Sequence, residues 1–352
     1  MYNNIPPFMN FEEFIYKLPK VDLHRHLDGS VRVETIRDAA LEHGFNLPTQ
    51  DIEELRKYSQ VSPDCKSLTD FLKTFDFFYE FLKFPDVLER IAYENCEDAA
   101  IKENIKYLEL RFAPPLQTRD DFTEEEVVKS VLHGIKYGQK KFGIRVGIIL
   151  CLYRYHTITE EQNWKTLKLA EKYLGNGVVG IDLAGDESKF SVLNYKKFFE
   201  YARSAGIPIT CHAGEAASAV EVKHAIELGA KRIGHGTHIY EDENIMKLVR
   251  DNDIALEICL TSNIQTQVVD NINLHPARKY YDYGIKITLN TDDPSVSGID
   301  LNYEFQLAVK VFNFDLNDLR KIVYNSIKAA FLAEEEKSEL ISKYFNNSII
   351  SS

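Results

Sequence analysis

The stretch IPITCHAG, residues 207–214, is apolar and β-branched in its first half and turns polar and reactive at its end, with Glu215 directly after it. Ile207, Ile209 and Thr210 favour an extended chain, whereas His212 and Glu215 are side chains that carry chemistry. Seven other stretches are short, apolar and β-branched in the same way: KVDLHRHL (20–27), IKYLELRF (105–112), RVGIILCL (145–152), VVGIDLAG (178–185), KRIGHGTHI (231–239), IALEICLTS (254–262) and IKITLNTDD (285–293). Between most of them the apolar residues recur at three/four spacing, as in EEEVVKSVLHGIKYGQKKFG (124–143) and ASAVEVKHAIELGA (217–230), which is the period of a helix.

Eight strands alternating with helices predict an α/β fold, a (β/α)8 TIM barrel. Strands that are apolar almost throughout fit a parallel sheet covered on both faces. The segment from about 31 to 100 is too long for one barrel helix and is expected to fold as several helices inserted after strand 1. The tail from about 303 onward is expected to add helices at the C-terminus. With no Gly/Ser/Pro-rich linker and no repeat, residues 1–352 are expected to form a single barrel domain.

Bulk composition agrees. A chain of 352 residues with 44% hydrophobic and 27% charged residues has ordinary globular character. Its formal net charge of −12, without a lysine/arginine cluster, repels nucleic acid and anionic membrane surfaces. The start, MYNNIPPFMNFEEFIYKL, lacks a basic, apolar leader pattern, and no apolar run approaches 18 residues. Five cysteines, Cys65, Cys96, Cys151, Cys211 and Cys259, show no C-x-x-C spacing and read as reduced thiols. A cytoplasmic protein is expected.

In a barrel of this kind the chemistry sits at the C-terminal ends of the strands. The reactive side chains gather there: His24 and His26 late in the first run, His212 and Glu215 at the end of the fifth, His235 and His238 in the sixth, Asp292 and Asp293 in the eighth. Residues i and i+2 of a strand share a face, so His24 and His26 can both point into the barrel mouth. With His212 and a strand-8 carboxylate they make a nitrogen-rich donor set suited to Zn²⁺ with one open position. His43, His133, His156, His224 and His275 lie in helix-like or loop stretches and are expected to be ordinary satisfied histidines. The chain lacks H-E-x-x-H, and it lacks H-x-E paired with P-C-x-x-C, so neither a zincin nor a cytidine-deaminase zinc site is present.

LPKVDLHRHLDGS, VVGIDLAGDE, TCHAGEA, RIGHGTHI and TLNTDDPSVSG, in this order across roughly residues 18 to 305, resemble the adenosine deaminases of the amidohydrolase superfamily. The resemblance implies one zinc ion per chain, held by His24, His26, His212 and Asp292. It also implies hydrolysis of the 6-amino group of adenosine, with 2′-deoxyadenosine as an expected second substrate, giving inosine and ammonia in purine salvage. Zinc lowers the pKa of a bound water from about 15.7 toward roughly 7. By resemblance His235 accepts the water proton, Asp293 aims the nucleophile, and Glu215 protonates purine N1. Read by itself, Glu215 could be a carboxylate stabilising a helix start.

The same resemblance assigns substrate contacts to His26, Asp293, the Gly185 backbone at purine N3, and Asp28 at a ribose hydroxyl. Glu257, a carboxylate in an apolar run, needs a buried partner and is expected to orient His235. Leu68, Phe71, Leu72 and Phe75 in SLTDFLKTFDFF (67–78) share one helical face, which is either core or, as in the resembling family, an apolar lid. The expected partner is a small purine nucleoside, and the chain is expected to be a monomer or weak homo-oligomer. Adenine or another 6-aminopurine nucleoside is the alternative substrate. A catalytically silent barrel is the alternative class, against which the completeness of the set counts.

Overall fold

The computed structural model describes residues 11–154 and 158–345. His156 and the first ten residues of the chain lie outside the described residues.

Eight parallel strands follow in chain order: β1 Lys20–His26, β2 Ile105–Phe112, β3 Arg145–Arg154, β4 Val178–Gly185, β5 Thr210–Ala213, β6 Arg232–His235, β7 Ala255–Ile258 and β8 Lys286–Leu289. They pair as two four-stranded sheets, β1-β2-β3-β4 and β5-β6-β7-β8. The ring expected from the sequence is interrupted at two seams, where the ladder thins to single bridges, Ile181 with Ile209 and Arg25 with Asp292.

Each seam has a chemical cause. At β4/β5 the residue before the bridging Ile209 is Pro208, which has no N–H to extend the ladder on that side, although its carbonyl accepts from Ile181 N–H at 2.9 Å. At β8/β1 the Asn290 side chain stands in for a backbone carbonyl, its Oδ1 accepting from Leu23 N–H at 3.0 Å. Two backbone bonds, His26 N–H to Asp292 O and Asp292 N–H to His24 O, both 2.8 Å, then tie the mouth of β1 to the end of β8.

β5 to β8 are each four residues long, shorter than the apolar runs that announced them. Past the ladder the backbone turns to aim side chains: His235 and Asp292 take left-handed conformations at φ 65° and 62°, which non-glycine residues adopt mainly where surrounding structure enforces them. In the seventh run the chain goes straight into a helix, Leu260–Gln265.

The insertion after β1 is helical, as expected, with helices Val33–His43, Ile52–Ser59, Leu68–Leu72, Asp76–Tyr79 and Pro85–Glu97. The tail forms helices Leu301–Phe312, Leu316–Ala329 and Glu334–Tyr344. Local rules set their limits. Helix Glu124–Phe142 begins at a Thr123/Glu126 capping box and ends at a left-handed Gly143, and it buries Val127, Val128, Val131 and Ile135 against the barrel. No helix among the described residues is long and apolar enough to cross a membrane.

Candidate active site

The floor of the barrel mouth is ionic. Arg111 on β2 reaches Asp182 Oδ2 (3.0 Å) and Glu257 Oε2 (2.9 Å), and Arg232 reaches Glu257 Oε1 (2.6 Å) and Glu109. All five side chains are essentially inaccessible to solvent. Charges so deeply buried persist only when mutually paired and hydrogen-bonded. The spare acceptor capacity of the network is spent on imidazoles: His24 Nδ1 lies 2.8 Å from Glu257 Oε2, and His212 Nδ1 lies 2.8 Å from Asp182 Oδ2.

With Nδ1 of each ring turned to a carboxylate, both Nε2 atoms face the mouth. A carboxylate behind the imidazole fixes tautomer and ring orientation, the usual bracing of a metal-binding histidine. His24 Nε2 lies 3.1 Å from Asp292 Oδ1, and His26 Nε2 lies 3.4 Å from both His212 Nε2 and Asp292 Oδ1. Ligand atoms of His24, His212, His235 and Asp292 all fall within 4.8 Å of one another. His24 Nε2 is buried with no hydrogen-bond partner, and acceptors facing one another across such distances suit a cation between them. Burial holds the His26 and His212 imidazoles below the ordinary histidine range, toward the neutral form that ligation requires, while against burial and Arg111 the Asp292 and Glu257 carboxylates hold His24 above it.

Glu257 therefore corrects an expectation. It braces His24, not His235, because its β7 position pairs with Gly234 of β6, one residue below His235, from where the carboxylate reaches across the barrel interior. Gly234 leaves the space; a Cβ there would come 3.0 Å from His24 Cε1. The side chain at His235 Nδ1 is instead Asn263, whose Nδ2 is 3.0 Å away. His238 lies beyond β6, with Nδ1 3.3 Å from Gly214 O.

Above the cluster opens a pocket lined by His26, Asp28, Gly185, Glu215, His235, Asp292 and Asp293 and roofed by Leu68, Phe71, Leu72 and Phe75. The roof is not one continuous α-helix: helix Leu68–Leu72 tightens into a 3₁₀ turn, Lys73–Phe75, before Asp76–Tyr79. Thr69 Oγ1 donates to Asp186 Oδ2 at 2.8 Å, tying the roof to the loop after β4. Gly185, at φ 92°, lets β4 turn at the pocket wall, where a Cβ would press on the Arg154 backbone at 3.0 Å.

Glu215 is buried, with Oε2 3.6 Å from His235 Nε2. Burial first, then the neighbouring Asp292 and Glu187 carboxylates, push its carboxyl well above the usual range, which favours the protonated acid. Its loop is held by Glu187, whose carboxylate accepts from the N–H groups of Gly214 (2.6 Å), Glu215 (2.8 Å) and Ala216 (3.0 Å). Asp28 is buried, which raises its carboxyl to about 6. Tyr79 Oη donates to its Oδ2 at 3.3 Å, while Oδ1 has no partner.

Asp293 packs over Gly29, where a Cβ would land 1.8 Å from Asp293 Oδ1. Gly29→Ala is expected to displace Asp293 and to lower kcat/KM on the order of 100-fold, the scale of a 1 Å misplacement. The thermal midpoint, measured alongside, should move only by a few degrees; unchanged kcat/KM would remove Asp293 from the chemistry.

Asp182, Arg111, Glu187, Tyr79, Tyr153 and Asn263 belong to the site or its supports without having been picked from the sequence. For Glu109, Arg111 and Asp182 a signal existed: charged residues inside apolar strands, the first two at i and i+2 on one face. Asn263 gave none. His275, expected to be an ordinary satisfied core histidine, is buried and hydrogen-bonded to Asn263 at 3.1 Å. His43, His133 and His224 pair with Asp86, Glu89 and Glu221 outside the pocket.

A parallel β/α barrel with imidazoles and a carboxylate gathered over its strand ends, two of the imidazoles braced from below by buried carboxylates, defines a hydrolase of the amidohydrolase type. The adenosine deaminase family profile matches residues 19–346. An adenosine deaminase of Clostridium perfringens (strain SM101 / Type A) is 41% identical over 327 residues, covering 93% of this chain and 98% of that relative. The chain belongs to the adenosine deaminase family. Among solved structures, an amidohydrolase from Burkholderia ambifaria with bound Zn superposes at TM-score 0.86 with 25% identity over 97% of this chain and 93% of that one. Adenine deaminase from Arthrobacter aurescens superposes at 0.83 with 25% identity over 93% and 98%.

Proposed function

We propose that the pocket holds adenosine and that the chain removes its 6-amino group hydrolytically, giving inosine and ammonia, with 2′-deoxyadenosine as a second substrate. The carrying observation is Glu215, a buried carboxyl facing the pocket beside His235 and the His/Asp cluster. The ion we assign is zinc, one per chain, with His24, His26, His212 and Asp292 as its ligands. The nitrogen-rich set, its carboxylate bracing and the zinc in a structural neighbour support that choice. When bound, such an ion supplies Lewis acidity that makes water a competent nucleophile at neutral pH.

The remaining work falls to side chains. Glu215 gives its proton to N1 as the water oxygen bonds to C6, so the displaced ring electrons are neutralised at N1. His235 and Asp293 hold the attacking oxygen against C6. The Gly185 backbone meets N3, and the apolar roof excludes water. Over the cycle the water oxygen stays on C6; one of its protons leaves with the ammonia and the other restores Glu215. The protein acts as a single catalytic domain in the cytoplasm, consistent with five unpaired cysteines, four of them buried, as a monomer or weak homo-oligomer.

Asp28 decides between a nucleoside and a free base. Its unpartnered, pocket-lining Oδ1 suits a ribose hydroxyl, and no lysine or arginine among the described residues lines the pocket to receive a phosphate. Adenine deamination is the second possibility, favoured by the similarity to the Arthrobacter enzyme. Measured kcat/KM should rank adenosine well above adenine and AMP, with one metal per chain; adenine as best substrate would overturn the assignment. Asp28→Ala should cost about 1.5–3 kcal/mol of transition-state binding, roughly a 10- to 100-fold loss in kcat/KM for adenosine, without loss of metal.

A further inference from the structure

A line of hydrogen bonds behind His235 has its direction set by a backbone group. Ala277 N–H can only donate, and it points at His275 Nδ1 at 3.1 Å, so that nitrogen is bare. His275 is buried, and burial depresses its pKa to about 3; the ring is neutral and its one proton sits on Nε2. That Nε2–H faces Asn263 Oδ1 at 3.1 Å, and Thr237 Oγ1 approaches the same oxygen at 3.3 Å. The opposite amide orientation would set an N–H against an N–H, so the orientation of Asn263 follows from the backbone. Its Nδ2–H is then left to donate to His235 Nδ1 at 3.0 Å.

We infer that Ala277 N–H, His275 and Asn263 form a proton-ordered chain that holds neutral His235 as its Nε2–H tautomer, so that His235 donates a hydrogen bond to the attacking oxygen. This rests on the proposed deamination for the identity of that oxygen, while the tautomer rests on the hydrogen bonds alone. Asn263 is a positioning residue. It is carried by helix Leu260–Gln265, whose first N–H groups, Leu260 (2.8 Å) and Thr261 (3.2 Å), are capped by the Glu304 carboxylate.

Two consequences follow. A second proton on His235 would have to sit on Nδ1, against the Asn263 N–H, so the ring is set to donate where the family resemblance would have it accept. A protonated Nε2 also has no lone pair for a metal, which separates His235 from His24, His212 and Asp292 although its ligand atom lies within 4.8 Å of theirs, and leaves the fourth place to His26.

The test is the ring ¹⁵N spectrum of His235 in the zinc-loaded enzyme, where bare and protonated nitrogens resonate far apart, assigned by comparison with His235→Gln. The expected result is a protonated Nε2 and a bare Nδ1. Asn263→Asp keeps the shape but presents acceptors to both histidines, and should move the proton to Nδ1 and lower kcat on the order of 100-fold, with KM within about threefold and metal content unchanged. A wild-type spectrum with the proton on Nδ1 overturns the proposal even if the variant fails to fold. A variant with the inverted tautomer and wild-type kcat also overturns it. Absence of adenosine turnover in the wild type would defeat the deamination assignment instead and leave the spectrum to decide the tautomer.

Discussion

Glu215→Gln is expected to lower kcat for adenosine on the order of 10²- to 10⁴-fold, the range for loss of a general acid, with little change in KM or metal content. The substitution keeps the side chain's size, and the Glu187 carboxylate continues to hold the loop through backbone N–H groups that do not depend on residue 215's side chain. What disappears is a transferable proton. Burial and two carboxylates favour the protonated form of Glu215, so the glutamine amide can still donate a hydrogen bond to N1 and preserve ground-state binding, but it cannot neutralise N1 as C6 becomes tetrahedral. A loss confined to kcat marks an interaction made in the transition state. Steady-state kinetics with matched metal analysis would show it; a kcat within tenfold of wild type would sink the assignment.

Stripping the divalent ion with a chelator is expected to reduce deamination to background, and one equivalent of zinc per chain should restore it. The physical reason lies in the donors. His26 and His212 turn their Nε2 nitrogens to one another at 3.4 Å, His212 Nδ1 lies 2.8 Å from Asp182, and Asp292 Oδ1 lies within 3.4 Å of His24 and His26. An ion bound to the folded chain and not to the unfolded one also stabilises it by mass action, by about 2.7 kcal/mol at a hundredfold excess over Kd. The metal-free protein should therefore melt several degrees lower. Full activity in chelated protein shown to hold no metal would refute both the ligand set and the chemistry assigned to it.

Much of this site could be read from the linear chain because strand geometry is simple. A period of two puts His24 and His26 on one face, and a parallel barrel brings every strand's C-terminal end to one mouth, so HAGE, GHG and TDD had to meet. The assignment of partners was not readable in the same way. Glu257 was expected beside His235 by strand adjacency, yet register places it one residue lower, level with Gly234, and the missing side chain there opens the path to His24. The lid residues were legible as one face of a helix; the 3₁₀ turn that breaks that helix was not.

The sequence by itself determined the strand count, the helical insertion after β1 and the convergence of imidazoles and carboxylates at the mouth, because each depends on residue type and a local period. Only the tertiary structure decided how the ring is interrupted at Pro208 and Asn290, which buried carboxylate braces which histidine, why Gly29 must lack a side chain beneath Asp293, and how a backbone N–H at Ala277 orders the proton on His235 three groups away. Those depend on register, on space left by neighbours, and on the direction of hydrogen bonds between residues distant in the chain, and none of these is carried by any single stretch of sequence.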